Sequence, residues 1–263
     1  MTTTTAAKAE LLDSLHVPGT PLIVTNVWDA VTARIVAAAP GVKALATASH
    51  AVSFAQGVPD GEGLTLDQAL AAARTITGAV DLPVSVDFER GYAADATELE
   101  ANIARLIEAG AAGLNLEDST GPDAGQLRSV ETATERVAAV RRAADAAGVP
   151  LVINARVDAL ARGGSFDDAV ARANSYLAAG ADVAFVLGLG TEELVRRAVA
   201  EIDGRVSVIA NPTSVPLTRL ADLGVSRVSF GPGPLGLVLA HLQAAATQLT
   251  ALGEYPEELG FKY

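Results

Sequence analysis

The sequence predicts a (β/α)8 TIM barrel, and three observations predict it. Eight short apolar runs, at residues 22–25, 44–48, 84–87, 114–117, 151–155, 183–187, 206–210 and 228–230, read as strands in a chain of 263 residues. These runs are continuous rather than alternating, the pattern of parallel strands covered on both faces. Charged side chains collect just past the third, fourth and fifth runs, and a closed barrel gathers its chemistry at the C-terminal ends of its strands. An open doubly wound sheet would have fewer strands and a phosphate-binding glycine fingerprint after the first. No linker, charge block or low-complexity stretch beyond the initial threonines divides the chain, so residues 1–263 are read as a single domain.

The elements follow in order. The first strand is succeeded by Asn26, and Asp29 is placed to cap a helix through 30–39. Pro40-Gly41-Val42 leads into the second strand, which runs out into Thr47-Ala48-Ser49-His50. The third passes from Val84-Ser85-Val86 into Asp87-Phe88-Glu89-Arg90-Gly91-Tyr92. Strand side chains repeat every two residues, so Asp87 and Glu89 are expected on one face, close enough to share a cation. Segments 97–109, 130–147, 166–179 and 192–200 carry apolar residues at three- and four-residue spacing and read as helices. Gly110, Gly148, Gly180 and Gly224 each stand between a helix and the next strand, the left-handed position that closes a helix. The fourth strand ends in Leu116-Glu117-Asp118, and the fifth leads through Asn154-Ala155-Arg156-Val157-Asp158, which adds a fixed positive charge. Gly231-Pro232-Gly233-Pro234 reads as a turn, because its prolines remove the amide donors that a phosphate loop needs.

Composition narrows the function. Half the residues are hydrophobic, yet Asp, Glu, Arg or Gly interrupts every run before it reaches the roughly eighteen residues of a membrane span. The opening Met1-Thr2-Thr3-Thr4-Thr5-Ala6 lacks the basic start and apolar core of a secretion signal, so a cytoplasmic protein is expected. Without cysteine there is no disulfide, thiolate ligand or cysteine nucleophile. A net charge of −12 disfavours nucleic acid and anionic membranes as partners. A small anionic substrate remains compatible, since a bound cation and a buried arginine reverse the local potential.

Oxygen-only donors at strand ends suit Mg²⁺, which is gripped directly by one or two carboxylates and keeps several waters. Asp87 is the expected direct ligand, with Glu89 and Glu117 acting through water. The competing readings are surface acids or caps, with Glu89 simply paired to Arg90 and Asp118 capping its loop. Asp60, within Gly57-Val58-Pro59-Asp60-Gly61, is by composition alone a turn aspartate. Arg156 needs an anionic partner at the end of a buried strand, either a substrate carboxylate or a structural pair with Glu117 or Asp158. Ser49 and the neighbouring amides are placed to receive an oxyanion or carboxylate. Asn26 and Asn211 end the first and seventh strands and are expected to line the pocket. His50 has no partner visible in the sequence and reads as non-catalytic, as do His16 and His241.

With these residues in place, the chain resembles the isocitrate lyase/phosphoenolpyruvate mutase superfamily, and most closely its short bacterial phosphonomutase-like branch. The resemblance spans nearly the whole sequence. It is carried in order by Asn26-Val27-Trp28-Asp29-Ala30, Thr47-Ala48-Ser49, Gly57-Val58-Pro59-Asp60-Gly61, Asp87-Phe88-Glu89-Arg90-Gly91-Tyr92, Leu116-Glu117-Asp118-Ser119 and Asn154-Ala155-Arg156-Val157-Asp158. It implies Mg²⁺, or Mn²⁺ in its place, on Asp87, with Asp60, Glu89 and Glu117 acting through water. It further implies a 2-oxo acid whose carboxylate and developing enolate oxygen are held by Arg156 and the Ala48-Ser49 amides, with Asn211 beside them. The expected activity is a lyase for a small 2-oxo or 2-hydroxy dicarboxylate, with phosphonopyruvate-type mutase or hydrolase chemistry and a metabolite-binding barrel without turnover as alternatives. The resemblance also implies a homodimer or homotetramer in which the C-terminal helix, from about Leu235, is exchanged between neighbours. Two departures stand out. The Cys-bearing loop of the isocitrate lyases is replaced by residues 117–126 without cysteine, and Leu187 stands where phosphonopyruvate enzymes place a histidine.

Overall fold

The computed structural model describes residues 3–121 and 127–255. Nine strands form one parallel sheet: β1 (Leu22–Val24), β2 (Asn26–Val27), β3 (Leu45–Thr47), β4 (Val84–Asp87), β5 (Gly113–Glu117), β6 (Val152–Val157), β7 (Val183–Val186), β8 (Arg205–Ile209) and β9 (Arg227–Ser229). Around them lie α1 (Thr5–Ser14), α2 (Ala30–Ala37), α3 (Ser49–Ala55), α4 (Leu66–Thr77), α5 (Ala96–Glu108), α6 (Val130–Ala146), α7 (Phe166–Ala178), α8 (Glu192–Glu201), α9 (Leu217–Asp222) and α10 (Gly233–Thr250). The strand order is β1-β9-β8-β7-β6-β5-β4-β3-β2. Because β1 and β2 are consecutive in the chain, the sheet comes round on itself through Thr25.

The predicted first strand is therefore two pieces, one hydrogen-bonded to each neighbour. The side chain of Asn26 stitches that seam. Its amide nitrogen donates to Thr47 O at 2.9 Å and its oxygen accepts from Phe230 N at 2.8 Å, so it ties the end of β3 to the residue that follows β9. Asn26 is buried and structural, not a pocket residue as the sequence suggested.

Helix ends follow the sequence closely. Asp29 Oδ1 accepts from Thr32 N at 2.7 Å in a capping box that opens α2. Gly110 closes α5 at φ +89°, and a Cβ there would lie 2.9 Å from Thr77 Oγ1, so glycine is required twice over. The turn expected at 231–234 is shorter. Gly233 and Pro234 already belong to the first turn of α10, where proline is tolerated because its missing N–H would have had no partner.

At the N-terminal end of the barrel, α1 drives the fully buried Leu12 against Gly113, where a Cβ would stand 2.9 Å from Leu12 Cδ2. Above it the interior is polar and layered. Register sets Ser85 beside Gly113, then Asp87, Asn115 and Asn154 in line, then Glu117 beside Arg156. Barrels are usually filled by branched aliphatic side chains; here the wall from β4 to β6 is lined for chemistry. Among the described residues no helix is long and apolar enough to cross a membrane.

Candidate active site

The ends of β3, β4, β5 and β6 converge, and each carries a predicted residue. Asp87 closes β4. Its backbone N–H donates to Thr47 Oγ1 at 2.8 Å, and its Oδ2 accepts from the backbone N–H of Ser49 at 2.9 Å. That amide opens α3, so the partial positive charge of a helix start faces the carboxylate. Asn154 Nδ2 donates to Asn115 Oδ1 at 2.7 Å, which turns the amide of Asn115 toward Asp87 Oδ1 at 3.5 Å. Two asparagines thus set the carboxylate from below.

One step higher, Arg156 Nη1 lies 2.9 Å from Glu117 Oε2. Its Nε and Nη2 reach the two oxygens of Asp158 at 2.7 and 3.1 Å, a bidentate grip. Both structural partners that the sequence offered are taken together. Asp158 is held in turn by Asp118, whose Oδ1 accepts from Asp158 N at 3.0 Å while Oδ2 accepts from Tyr176 OH at 2.8 Å. Asp118 is buried, an anchor between β5, β6 and α7 rather than the loop cap expected.

Glu89 reaches the site by a different route from the one the strand period implied. The strand stops at Asp87, and Glu89 adopts φ +50° in a turn closed by Gly91 N–H donating to Phe88 O at 2.8 Å. Alternation no longer applies there. Glu89 accepts from Tyr92 OH at 2.7 Å and from Glu62 N at 2.5 Å. It is not paired with Arg90, because Arg90 turns the other way and gives Nη2 to Gly61 O and Glu62 Oε2, both at 3.0 Å. These bonds clamp the loop carrying Asp60 to the loop carrying Glu89. Asp60 Oδ2 lies 3.7 Å from His50 Nδ1, supplying the partner that the sequence did not reveal.

Burial raises Glu89 from its ordinary 4.5 to about 7, with the charge of Asp87 adding to the rise. Glu117 is likewise raised to about 7 by burial; Arg156 opposes the shift, while Asp158, Asp87 and Glu89 add to it. Arg156, pressed between carboxylates, is shifted upward against its own desolvation and stays charged. Carboxylates that repel one another at the end of a strand would be relieved by a cation. Among the described residues no three His, Cys, Asp or Glu side chains gather as direct ligands. The donor set nevertheless fits Mg²⁺, which needs only one or two carboxylates directly and retains water toward the rest.

Ser49, Asp60, Glu89, Glu117 and Arg156 line one cavity of about 120 Å³, and Asp87 lines a smaller space beside it with Ser49 and Glu89. Two predicted residues stand apart. The side chain of Ala48, whose predicted part was its backbone amide, packs in an apolar cluster with Ala51 and Leu235. Asn211 is exposed, its Oδ1 accepting from Thr213 N at 2.9 Å, and it borders a separate groove with Phe230 and Pro232. The sequence reading took Arg90 only as a partner for Glu89 and did not single out Arg162, yet both also line the cavity. It missed Arg227 as well, a buried arginine whose Nη1 and Nη2 both reach Ser85 Oγ at 3.2 Å. A cation inside an apolar-looking strand was the available signal. Of the substituted loop, residues 122–126 lie outside the described residues.

Comparison with known proteins places these features in context. The family model for phosphoenolpyruvate phosphomutase matches residues 12–250. The chain is 35% identical over 196 residues to 2-methylisocitrate lyase of Escherichia coli K12, covering 72% of this chain and 65% of that one. It is 31% identical over 251 residues to oxaloacetate decarboxylase of Bradyrhizobium sp. BTAi1, covering 89% and 82%. A crystal structure of a protein assigned as a phosphonomutase from Burkholderia cenocepacia J2315 superposes with a TM-score of 0.88 at 41% identity, covering 93% of this chain and 99% of the other.

Proposed function

The chain belongs to the phosphoenolpyruvate phosphomutase family, and on that premise we propose that it is a Mg²⁺-dependent carbon–carbon lyase acting on a small 2-oxo or 2-hydroxy dicarboxylate. The observation that carries the reading is the meeting of Glu117 and Arg156 in one small polar cavity, with Asp87 held beside it. A cleft of acids alone would take a cation but repel an anion. One that also holds a fixed guanidinium takes both.

Asp87 would hold Mg²⁺ directly, with Asp60, Glu89 and Glu117 reached through water, and the bound ion supplies positive charge where an enolate oxygen develops. The remaining work falls to the chain itself. Asp158 fixes the guanidinium plane of Arg156, and a substrate carboxylate can then share Nη1 with Glu117. The hydroxyl of Ser49, at the start of α3, is placed to orient the substrate's other oxygen. Clamping the 60–62 loop onto the 89–92 turn fixes Glu89 and Arg90 in the cavity wall. Breaking the bond at C3 leaves its electron pair on the enolate, and these residues favour that charge more than the ground state.

Identity to the Burkholderia protein favours a second reading, cleavage or rearrangement of a C–P bond in a phosphonopyruvate. A panel of 2-oxo and 2-hydroxy acids with and without Mg²⁺ decides. Release of pyruvate or another 2-oxo acid from oxaloacetate or an alkylmalate, abolished by chelator, is expected. Phosphate or phosphoenolpyruvate from phosphonopyruvate would favour the second reading instead, and no turnover of any member would leave a binding barrel.

A further inference from the structure

Arg227 takes no part in the mechanism above, yet among the described residues it is the largest side chain wholly enclosed by the barrel. It starts from β9, beside Leu22 on β1 and Ser207 on β8, and crosses the interior to Ser85 on β4, where Nη1 and Nη2 both lie 3.2 Å from Oγ. Its Nε and the hydroxyl of Ser207 are buried without a partner. Among the described residues no carboxylate forms an ion pair with it, and the acid whose charge it feels is Asp87. A positive charge buried without a paired anion is costly, and where a barrel needs only packing it uses branched aliphatic side chains. The charge itself therefore calls for a role. Ser85 and Asp87 are alternate residues of one strand, so their side chains share the inner face about 7 Å apart. That sets the guanidinium one layer beneath Asp87, and the low dielectric of a packed interior carries its field up to the cavity.

We propose that Arg227 sets the electrostatic field of the site from below: its fixed charge opposes a bare cation at Asp87 and favours the anion that joins it, so that the ion is held with substrate rather than alone. The same charge favours the negative charge that develops on an enolate oxygen, without touching it. This rests on the proposed function and adds to it a residue that acts on the substrate through space.

Two calorimetric titrations test the assignment, Mg²⁺ into the free protein and oxalate into the protein saturated with Mg²⁺. Arg227→Met is expected to tighten Mg²⁺ and to weaken oxalate, each by roughly threefold to thirtyfold, since removing one charge acts with opposite sign on a cation and an anion. Arg227→Lys, which keeps the charge, should lie closer to wild type on both. Ser85→Ala removes the hydrogen bond and leaves the charge in place, so it should lower the melting temperature while both affinities stay within about twofold of wild type. A structural brace predicts the reverse pattern, in which Arg227→Met and Ser85→Ala weaken both ligands together. That result overturns the proposal, as does failure of Arg227→Met to fold, which would show that the charge serves the barrel and not the site. If wild type binds Mg²⁺ and oxalate and Arg227→Met leaves both affinities unchanged, only this inference fails. If wild type binds neither, the proposed function falls and this inference falls with it.

Discussion

Burial makes weak acids of Glu89 and Glu117, each moved from an ordinary 4.5 to about 7. Between those values the metal-free native state holds protons that the unfolded chain has released, so this pair lowers stability as pH rises through the window. His16 acts oppositely. Burial, with Arg227 nearby, lowers it to about 3, so its contribution to stability rises with pH up to about 6.5. Above that the carboxylates act without this opposition, and a divalent cation must displace their protons. Mg²⁺ affinity is therefore expected to rise between about pH 6 and pH 8, with protons released in calorimetric titration; an affinity flat across that range would remove Glu89 and Glu117 from the cation's surroundings. Asp87→Ala should abolish Mg²⁺ dependence and activity together, since it takes away the one proposed direct ligand, whereas Glu89→Gln still orients water and should be milder. Retention of wild-type Mg²⁺ affinity in Asp87→Ala would show that the ligand lies elsewhere. Arg156→Lys keeps the charge and loses the planar fork that spans Asp158, so it should cost about 2–4 kcal/mol in transition-state stabilisation, seen as lower kcat/KM. A lower melting temperature with unchanged kinetic constants would instead mark Arg156 as scaffold.

Glycines between helix and strand are legible because chirality leaves few other residues for a left-handed closure, and Gly110, Gly148, Gly180 and Gly224 all take positive φ. Gly110→Ala must adopt a disfavoured φ and press on Thr77, so a loss of about 1–3 kcal/mol in stability is expected, measured by denaturant unfolding, with kinetics of the folded fraction unchanged. A loss under a few tenths would mean that α4 and α5 are loosely packed there. Apolar runs likewise located the strands, and β4 at 84–87 needs no adjustment. What stayed hidden depends on register and turns. The break at Thr25 arises because the segment pairs with β9 on one side and β3 on the other, and local composition holds no trace of that. Glu89 keeps its place in the site through a left-handed turn rather than the strand period. Arg90 looked like a partner for Glu89 by adjacency, but its partners Gly61 and Glu62 come from a distant loop. Asn211 sits at the expected strand end, yet its side chain folds back on Thr213, a choice made by the loop.

At the scale of the molecule, α10 is the element that the barrel does not cover. Leu237 is 75% exposed and Leu242 is 63% exposed, and with Ala245 and Leu249 they border an open apolar groove. The helix carries no Asp, Glu, Lys or Arg along its 18 residues, in a chain whose net charge is −12. An acidic protein repels its own copies over most of its surface, so an uncharged apolar helix is where two copies can approach at least electrostatic cost. An apolar face this continuous is stabilised by being covered, at about 25 cal/mol for each Å² removed from water. We therefore propose that α10 packs on a neighbouring barrel in a homodimer or homotetramer. Light scattering at micromolar concentration should give a mass of two or four chains, and Leu237→Glu with Leu242→Glu should shift it to one, because each carboxylate would have to be desolvated in the interface. Both positions lie outside the Asp87–Arg156 cavity, so the doubly substituted monomer should still bind Mg²⁺. A wild-type protein that is monomeric under these conditions would leave the exposed leucines without a partner and defeat the assembly.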